Sequence, residues 1–118
     1  MPIADAMTQP ASRRLLILAL CWLPVAVLAD SSLSAERVQE LKTLLYQDCG
    51  SCHGMTLRGG LGPSLPESRM NAYSREGLAA LILHGIPGTA MPGWKRLLTE
   101  EEALWLADHL QNDNPLDE

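Results

Sequence analysis

The chain has no phenylalanine, and its aromatic side chains amount to three Trp and two Tyr among 118 residues. A domain this small buries a modest share of its surface and usually needs a staple; few large aromatics sharpen that need. Cysteine is also scarce. Of three, Cys21 lies in an apolar run near the N-terminus, so Cys49 and Cys52 are the two left for the rest of the chain. Basic residues are in short supply. From residue 30 onward there are seven Arg and Lys against thirteen Asp and Glu, a balance of −6, which argues against nucleic acid and anionic membrane surfaces as partners. No internal repeat, low-complexity segment or interdomain linker is visible. Paired carboxylates, a nucleophile with its base and a phosphate-binding loop are all missing, so no hydrolytic or transfer chemistry is indicated.

One long apolar run is present, Leu15 to Leu28, interrupted by Pro24 and preceded by Arg13 and Arg14. It ends in Val27-Leu28-Ala29, before the polar Asp30-Ser31-Ser32. A basic start, an apolar centre and a small-residue exit describe a secretory signal peptide cleaved after Ala29. A membrane anchor is the rival reading, but the run falls short of the roughly 20 apolar residues a span requires. Cys21 sits in mid-run after Leu20, where a lipid-attachment site would want a small residue, and is read as filler. The expected organisation is a signal peptide over 1–29 and one domain over 30–118, with no stable membrane insertion after cleavage.

Three helical segments are predicted in that domain. The first runs from about Ala35 to Asp48, with Ser34 as N-cap, Glu36 in the first turn and a stripe of Val38, Leu41, Leu44 and Leu45. The second opens at Ser74, with Glu76 in its first turn and Leu78, Leu81 and Ile82 facing inward. It stops at Gly85, with Pro87 beyond. The third begins with the capping box Thr99-Glu100-Glu101-Glu102 and runs to about Gln111, with Ala103, Leu106, Ala107 and Leu110 on its core face. Between the first two lies His53 to Tyr73, where Gly54, Gly59, Gly60, Gly62, Pro63 and Pro66 forbid a helix. So long a loop in a small domain needs something ordered beneath it, and a flat apolar cofactor would serve. A second loop, Ile86 to Leu98, joins the last two helices. No segment reads as a strand, so the fold class is all-α with long loops.

Cys49-Gly50-Ser51-Cys52-His53 is the C-x-x-C-H pattern of covalent haem attachment. Two thiols separated by two residues can meet the two vinyl groups along one haem edge, and the next residue, His53, is delivered beneath the iron as its fifth ligand. A structural zinc site would need further ligands of the cysteine type. A thioredoxin-like pair would need a βαβ setting. A plain disulfide would leave the glycine-rich loop unexplained. One haem c is therefore expected, and an apoprotein that receives it after export should travel unfolded, which favours the general secretory route over the twin-arginine route suggested by Ser12-Arg13-Arg14. Donors for the opposite side of the iron are Met55, Met70, Met91, His84 and His109. Met55 is too near His53 to reach round, and Met70 reads as loop or rim in a polar setting. His84 reads as a helix-end histidine and His109 as a surface one. Met91, between Ala90 and the stiffening Pro92, is the expected sixth ligand; a plain core methionine is the alternative.

The order of these features, a helix into Cys49-Gly50-Ser51-Cys52-His53-Gly54, then Gly62-Pro63-Ser64-Leu65, then Met91-Pro92, then a capped final helix, resembles a class I cytochrome c. The stretches Gln47 to Gly54, Gly59 to Pro63 and Gly85 to Trp94 are similar to the small cytochromes c55X encoded with the nitrite reductase of denitrifying bacteria. The resemblance implies a class I cytochrome c-like fold around one haem, with the first and last helices crossing near their ends and the Pro63 carbonyl accepting the His53 ring proton. It also implies an exposed haem rim drawn from Met55, Leu61, Met70, Pro92 and Gly93. The sequence departs from the pattern where the aromatic four residues before the first haem cysteine is Leu45, with Tyr46 one place later. It departs again where a tyrosine near the end of the last helix is replaced by His109. An iron with His53 and Met91 on its two sides has no place for substrate, so the expected role is periplasmic one-electron transfer, not catalysis. The resemblance implies cytochrome cd1 nitrite reductase or a haem d1 maturation dehydrogenase as partner. The rival function is a gas-binding sensor or weak peroxidase with a labile sixth ligand.

Overall fold

A computed structural model describes residues 32–117; the expected signal peptide, with Cys21, lies outside the described residues. Among these there is helix but no strand: α1 (Ala35–Thr43), a π-helical segment (Leu44–Cys49), α2 (Gly50–His53), α3 (Glu67–Met70), α4 (Arg75–His84), α5 (Glu100–Asn112) and a 3-10 turn (Pro115–Asp117).

Ser34, in extended backbone, starts α1 by accepting the Arg37 N–H on its Oγ at 3.1 Å. The predicted stripe faces the core, with Leu41 and Leu45 buried and Val38 and Leu44 half-buried. Helical backbone does not end at Asp48 as expected. It widens into the π-helical segment and continues through the cysteines to His53. The stop is Gly54, whose φ of 91° is open to a residue without Cβ. Both cysteines and His53 thus ride on a single helical stretch that begins at Ala35.

The following loop is ordered by its own main chain. Gly59 N–H donates to the His53 carbonyl at 2.7 Å, Gly62 N–H to the Cys52 carbonyl at 2.8 Å, and Leu65 N–H to the Leu57 carbonyl at 2.9 Å. Leu57 takes the uncommon φ of 58° and is fully buried. The expectation of no helix as far as Tyr73 is corrected by α3. The breakers end at Pro66, whose fixed φ precedes the one-turn helix Glu67–Met70. Met70 is corrected as well. It is a core residue at 4% exposure, not rim or polar loop. Its burial follows from α3 packing on α5, where the Gln111 side chain donates to the carbonyls of Met70 and Tyr73, each at 3.0 Å.

Ser74 caps α4 through Gly77 N–H at 3.0 Å. Leu78, Ala79 and Ile82 pack with Ala103, Leu106, Ala107 and Leu110 of α5 in one core. The small Ala103 and Ala107 are fully buried, letting α4 and α5 approach closely. Both halves of the capping box form: Glu102 N–H donates to Thr99 Oγ1 at 3.2 Å and Thr99 N–H to Glu102 Oε2 at 2.8 Å. The other oxygen of Glu102 takes Arg37 Nε at 2.5 Å, tying α1 to the start of α5. That bond holds the Glu102 carboxyl below the usual carboxylate range.

Candidate functional site

Cys49 ends the π-helical segment, half-buried, and Cys52 is exposed one turn on; no disulfide joins them. Burial, aided by the neighbouring Asp48 charge, pushes the Cys49 thiol up to about 11, so it keeps its proton at neutral pH. Ser51 Oγ–H donates to the Asp48 carbonyl at 2.7 Å, pinning the turn between the two sulfurs.

His53 follows at the helix end. The Gly54–Pro63 loop folds back so that the Pro63 carbonyl lies 2.7 Å from Nδ1. A carbonyl can only accept, so Nδ1 carries the proton and Nε2 keeps the one lone pair available to a metal. Gly62 makes this approach feasible: a Cβ there would lie 3.0 Å from both Cε1 and Nδ1 of the ring. A helical turn with two thiols and an oriented imidazole is the donor set that haem c requires, and the residues present fit that group.

Met91 stands on the other loop, half-buried. Its carbonyl accepts Ile86 N–H at 3.3 Å, and its own N–H donates to Thr89 Oγ1 at 3.3 Å, while the Thr89 hydroxyl donates to the Ile86 carbonyl at 2.7 Å. The loop is anchored at its base where Trp94 and Lys95 N–H groups donate to the Ile82 and Leu83 carbonyls of α4. The other sequence candidates are dispersed. Met55 is 63% exposed beside Gly50, Met70 is in the core, and His84 is exposed in the last turn of α4. The structure therefore gathers Cys49, Cys52, His53 and Pro63 in one place, and sets Met91 on a separate, pinned loop.

His109 is the clearest correction. Expected at the surface, it is buried, with its ring stacked on Trp105 at 5.0 Å and 11°. Nδ1 lies 3.1 Å from the Asp113 carboxylate, and Nε2 lies 3.3 Å from the Tyr46 hydroxyl. With Nδ1–H turned to Asp113, Nε2 is the acceptor for Tyr46 O–H. Burial pushes the ring below its usual pKa, against the opposing pull of Asp113. The i, i+4, i+8 spacing of Trp105, His109 and Asp113 on one helix face was the available signal. The partner across the gap, Tyr46, could not be read from α5. Where the resemblance set two departures from the family pattern, the structure joins them in one contact between the first helical stretch and α5.

The family model described as cytochrome C oxidase, cbb3-type, subunit III matches residues 36–110. A cytochrome c55X of Pseudomonas aeruginosa is 49% identical over 87 residues, covering 74% of this chain and 73% of that one. The solved structure of the c-type cytochrome NirC superposes with a TM-score of 0.66 at 47% identity, covering 69% of this chain and 95% of that one. The dihydro-heme d1 dehydrogenase NirN, solved in complex with DHE, matches with a TM-score of 0.57 at 32% identity. There the match covers 63% of this chain but only 16% of that one. With the cysteine–histidine turn, the Pro63 contact and the helix order all in place, the chain belongs to the cytochrome c55X family of c-type cytochromes.

Proposed function

We propose that this chain is an exported carrier of single electrons with one haem c bound through thioether bonds at Cys49 and Cys52, His53 on one side of the iron and Met91 on the other. A c-type cytochrome is an electron-transfer haem protein, and what the bound haem supplies is an iron that alternates between ferric and ferrous states. The chain's own residues would do the rest: the turn Cys49–Cys52 would anchor the group, Pro63 orients the His53 ring through its Nδ1 proton, and Met91 would favour the ferrous state. The observation that carries this reading is the 2.7 Å contact between His53 Nδ1 and the Pro63 carbonyl, beside both thiols.

The partners that best suit the chain are the haem d1 enzymes of nitrite respiration, cytochrome cd1 nitrite reductase or a dehydrogenase maturing its haem d1. Two similarities support this. The relatives are cytochromes c55X, and a segment like this chain makes up about a sixth of a dihydro-heme d1 dehydrogenase. Oxidation of a dihydro-haem releases two electrons, so a one-electron carrier would serve it in two encounters. Export to the periplasm rests on residues 1–29, whose composition is that of a cleaved leader.

Expression with a haem-attachment apparatus tests the whole reading. The exported protein should begin at Asp30, gain the mass of one haem, and show a sulfur-to-iron charge-transfer band when ferric. Stopped-flow mixing with purified nitrite reductase and with the dehydrogenase should then show rapid exchange with at least one. A ferric spectrum without the sulfur band, together with binding of carbon monoxide or peroxide turnover, would replace this reading with a gas sensor or peroxidase.

A further inference from the structure

The contact between the first helical stretch and α5 holds a proton donor, an acceptor and a carboxylate in series, which an electron carrier does not need for its haem. Tyr46 is half-buried, and its hydroxyl lies 3.3 Å from His109 Nε2. The other ring nitrogen, Nδ1, lies 3.1 Å from the Asp113 carboxylate, whose side chain is 77% exposed. His109 itself is 7% exposed, and its burial favours the neutral ring. With Nδ1–H toward Asp113, the Nε2 lone pair is left for the Tyr46 hydroxyl. Phenol, imidazole and carboxylate thus run from the helix contact to water. An apolar pair would pack the same contact without the cost of burying an imidazole. Trp105 extends the series, stacked on His109 with ring centroids 5.0 Å apart and planes at 11°. Trp105 also lines an open groove of about 400 Å³, together with Leu33, Val38, Glu101 and Asp108.

We propose that Tyr46 is a redox-active tyrosine with His109 as its proton acceptor, a site for single oxidising equivalents delivered by a high-potential one-electron oxidant at the Trp105 groove. A phenol that loses an electron becomes a strong acid, so the electron leaves readily only where the proton can leave with it. The oxidant takes one electron from Tyr46, the phenolic O–H bond breaks, and the proton forms an N–H bond at His109 Nε2. The products are a neutral tyrosyl radical, an imidazolium and the oxidant reduced by one electron. Asp113 orients the ring and balances the imidazolium charge, as the carboxylate of a Ser-His-Asp triad does. Trp105, in ring contact with His109 and lining the groove, gives the electron a short aromatic exit from the fold. An electron returning by the same route restores the phenol as the proton goes back. Neither the ligands of the iron nor the physiological partner enters into this proposal, which goes beyond the electron-carrier reading.

The test is flash photo-oxidation of the ferric holoprotein by tris(bipyridine)ruthenium(III), generated with an irreversible quencher. The chain has two tyrosines, so Tyr73→Phe gives a background in which any tyrosyl signal belongs to Tyr46. That protein should show a tyrosyl radical by electron paramagnetic resonance, formed more slowly in heavy water than in ordinary water. Adding Tyr46→Phe should abolish the signal. His109→Gln and Asp113→Asn should each lower the radical yield severalfold and shrink the isotope effect, which a purely structural role would leave alone. Trp105→Leu should slow radical formation. Asp113 is exposed, so Asp113→Asn keeps the fold and decides the outcome if His109→Gln does not fold. Absence of a tyrosyl radical in the Tyr73→Phe protein overturns the proposal. So does a yield and isotope effect unchanged by Asp113→Asn, and a formation rate untouched by Trp105→Leu overturns the groove as the route.

Discussion

The two long loops of this molecule are held in different ways. Loop 54–66 is bonded directly to the helix end it must serve, through the carbonyls of Cys52 and His53 and through the His53 ring itself. Loop 85–98 is anchored at its base to the last turn of α4, and Met91 is located through its own main chain and the Thr89 hydroxyl. On the His53 side the fold therefore dictates the ring's proton and orientation. On the Met91 side it dictates where the residue stands, and leaves its flexible thioether to be ordered by what it touches. If His53 and Met91 hold the iron as proposed, the first side would be intolerant of small changes and the second tolerant.

The largest expected effect tests the turn on which the fixed side is built. Cys49→Ser combined with Cys52→Ser should abolish covalent haem, with no haem stain after denaturing electrophoresis. It should also remove the cooperative thermal transition, since no disulfide or metal cluster among the described residues supports so small a core. A sharp melt in the haem-free double variant would show that the fold needs no cofactor. Next is Gly62→Ala. The added Cβ meets the His53 ring at 3.0 Å, with the Pro63 carbonyl behind it, so the ring must shift. Overpacking of this kind costs roughly 1–3 kcal/mol, and here it should also move the midpoint potential. An unchanged potential together with an unchanged melt would mean that the loop yields freely.

Met91→Ala should act differently: the sulfur charge-transfer band disappears and the potential falls, while the fold persists. Its stability cost should stay below the roughly 2 kcal/mol that marks the lower end for a fully buried methionine, since Met91 is half-buried. Persistence of the band would move the ligand role to another methionine, and a bis-histidine spectrum would point to His84. The smallest effects belong to the Tyr46–His109 contact. Tyr46→Phe removes one neutral hydrogen bond, worth about 1 kcal/mol. His109 adds a pH dependence. Its folded pKa lies below its unfolded value, so the unfolded chain binds the proton first as pH falls. The stability from the buried neutral ring is full above about pH 6.5, the ordinary histidine value, and declines below it. Thermal melts from pH 5 to 8 should show that decline in the wild type and a weaker one in His109→Gln. Groups bearing on the same ring, Asp108 and Asp113 on its own helix and Lys42 on α1, do not change in that variant.

Several elements were legible because their causes are local. Ser34, Ser74 and Thr99 accept hydrogen bonds from residues three positions on, so a short stretch of sequence contains both partners of each cap. The pattern Cys49-Gly50-Ser51-Cys52-His53 occupies consecutive positions on helical backbone, and its meaning needs no knowledge of the rest of the chain. The core face of α5 follows from its period alone. Other features needed the tertiary structure. Met70 looks polar in sequence because Arg69 and Asn71 flank it, yet Gln111, 41 positions away, captures its carbonyl and α3 turns its side chain inward. Leu57 sits among glycines and an arginine, and only the core beneath the loop offsets its positive φ. The Tyr46–His109 and Arg37–Glu102 contacts join residues 63 and 65 positions apart. Caps, periods and the attachment turn were determined by the sequence itself, because neighbouring residues carry both the donor and the acceptor. Burial of Met70, Leu57 and His109 was decided by tertiary structure alone, because the groups that desolvate and satisfy them come from distant elements.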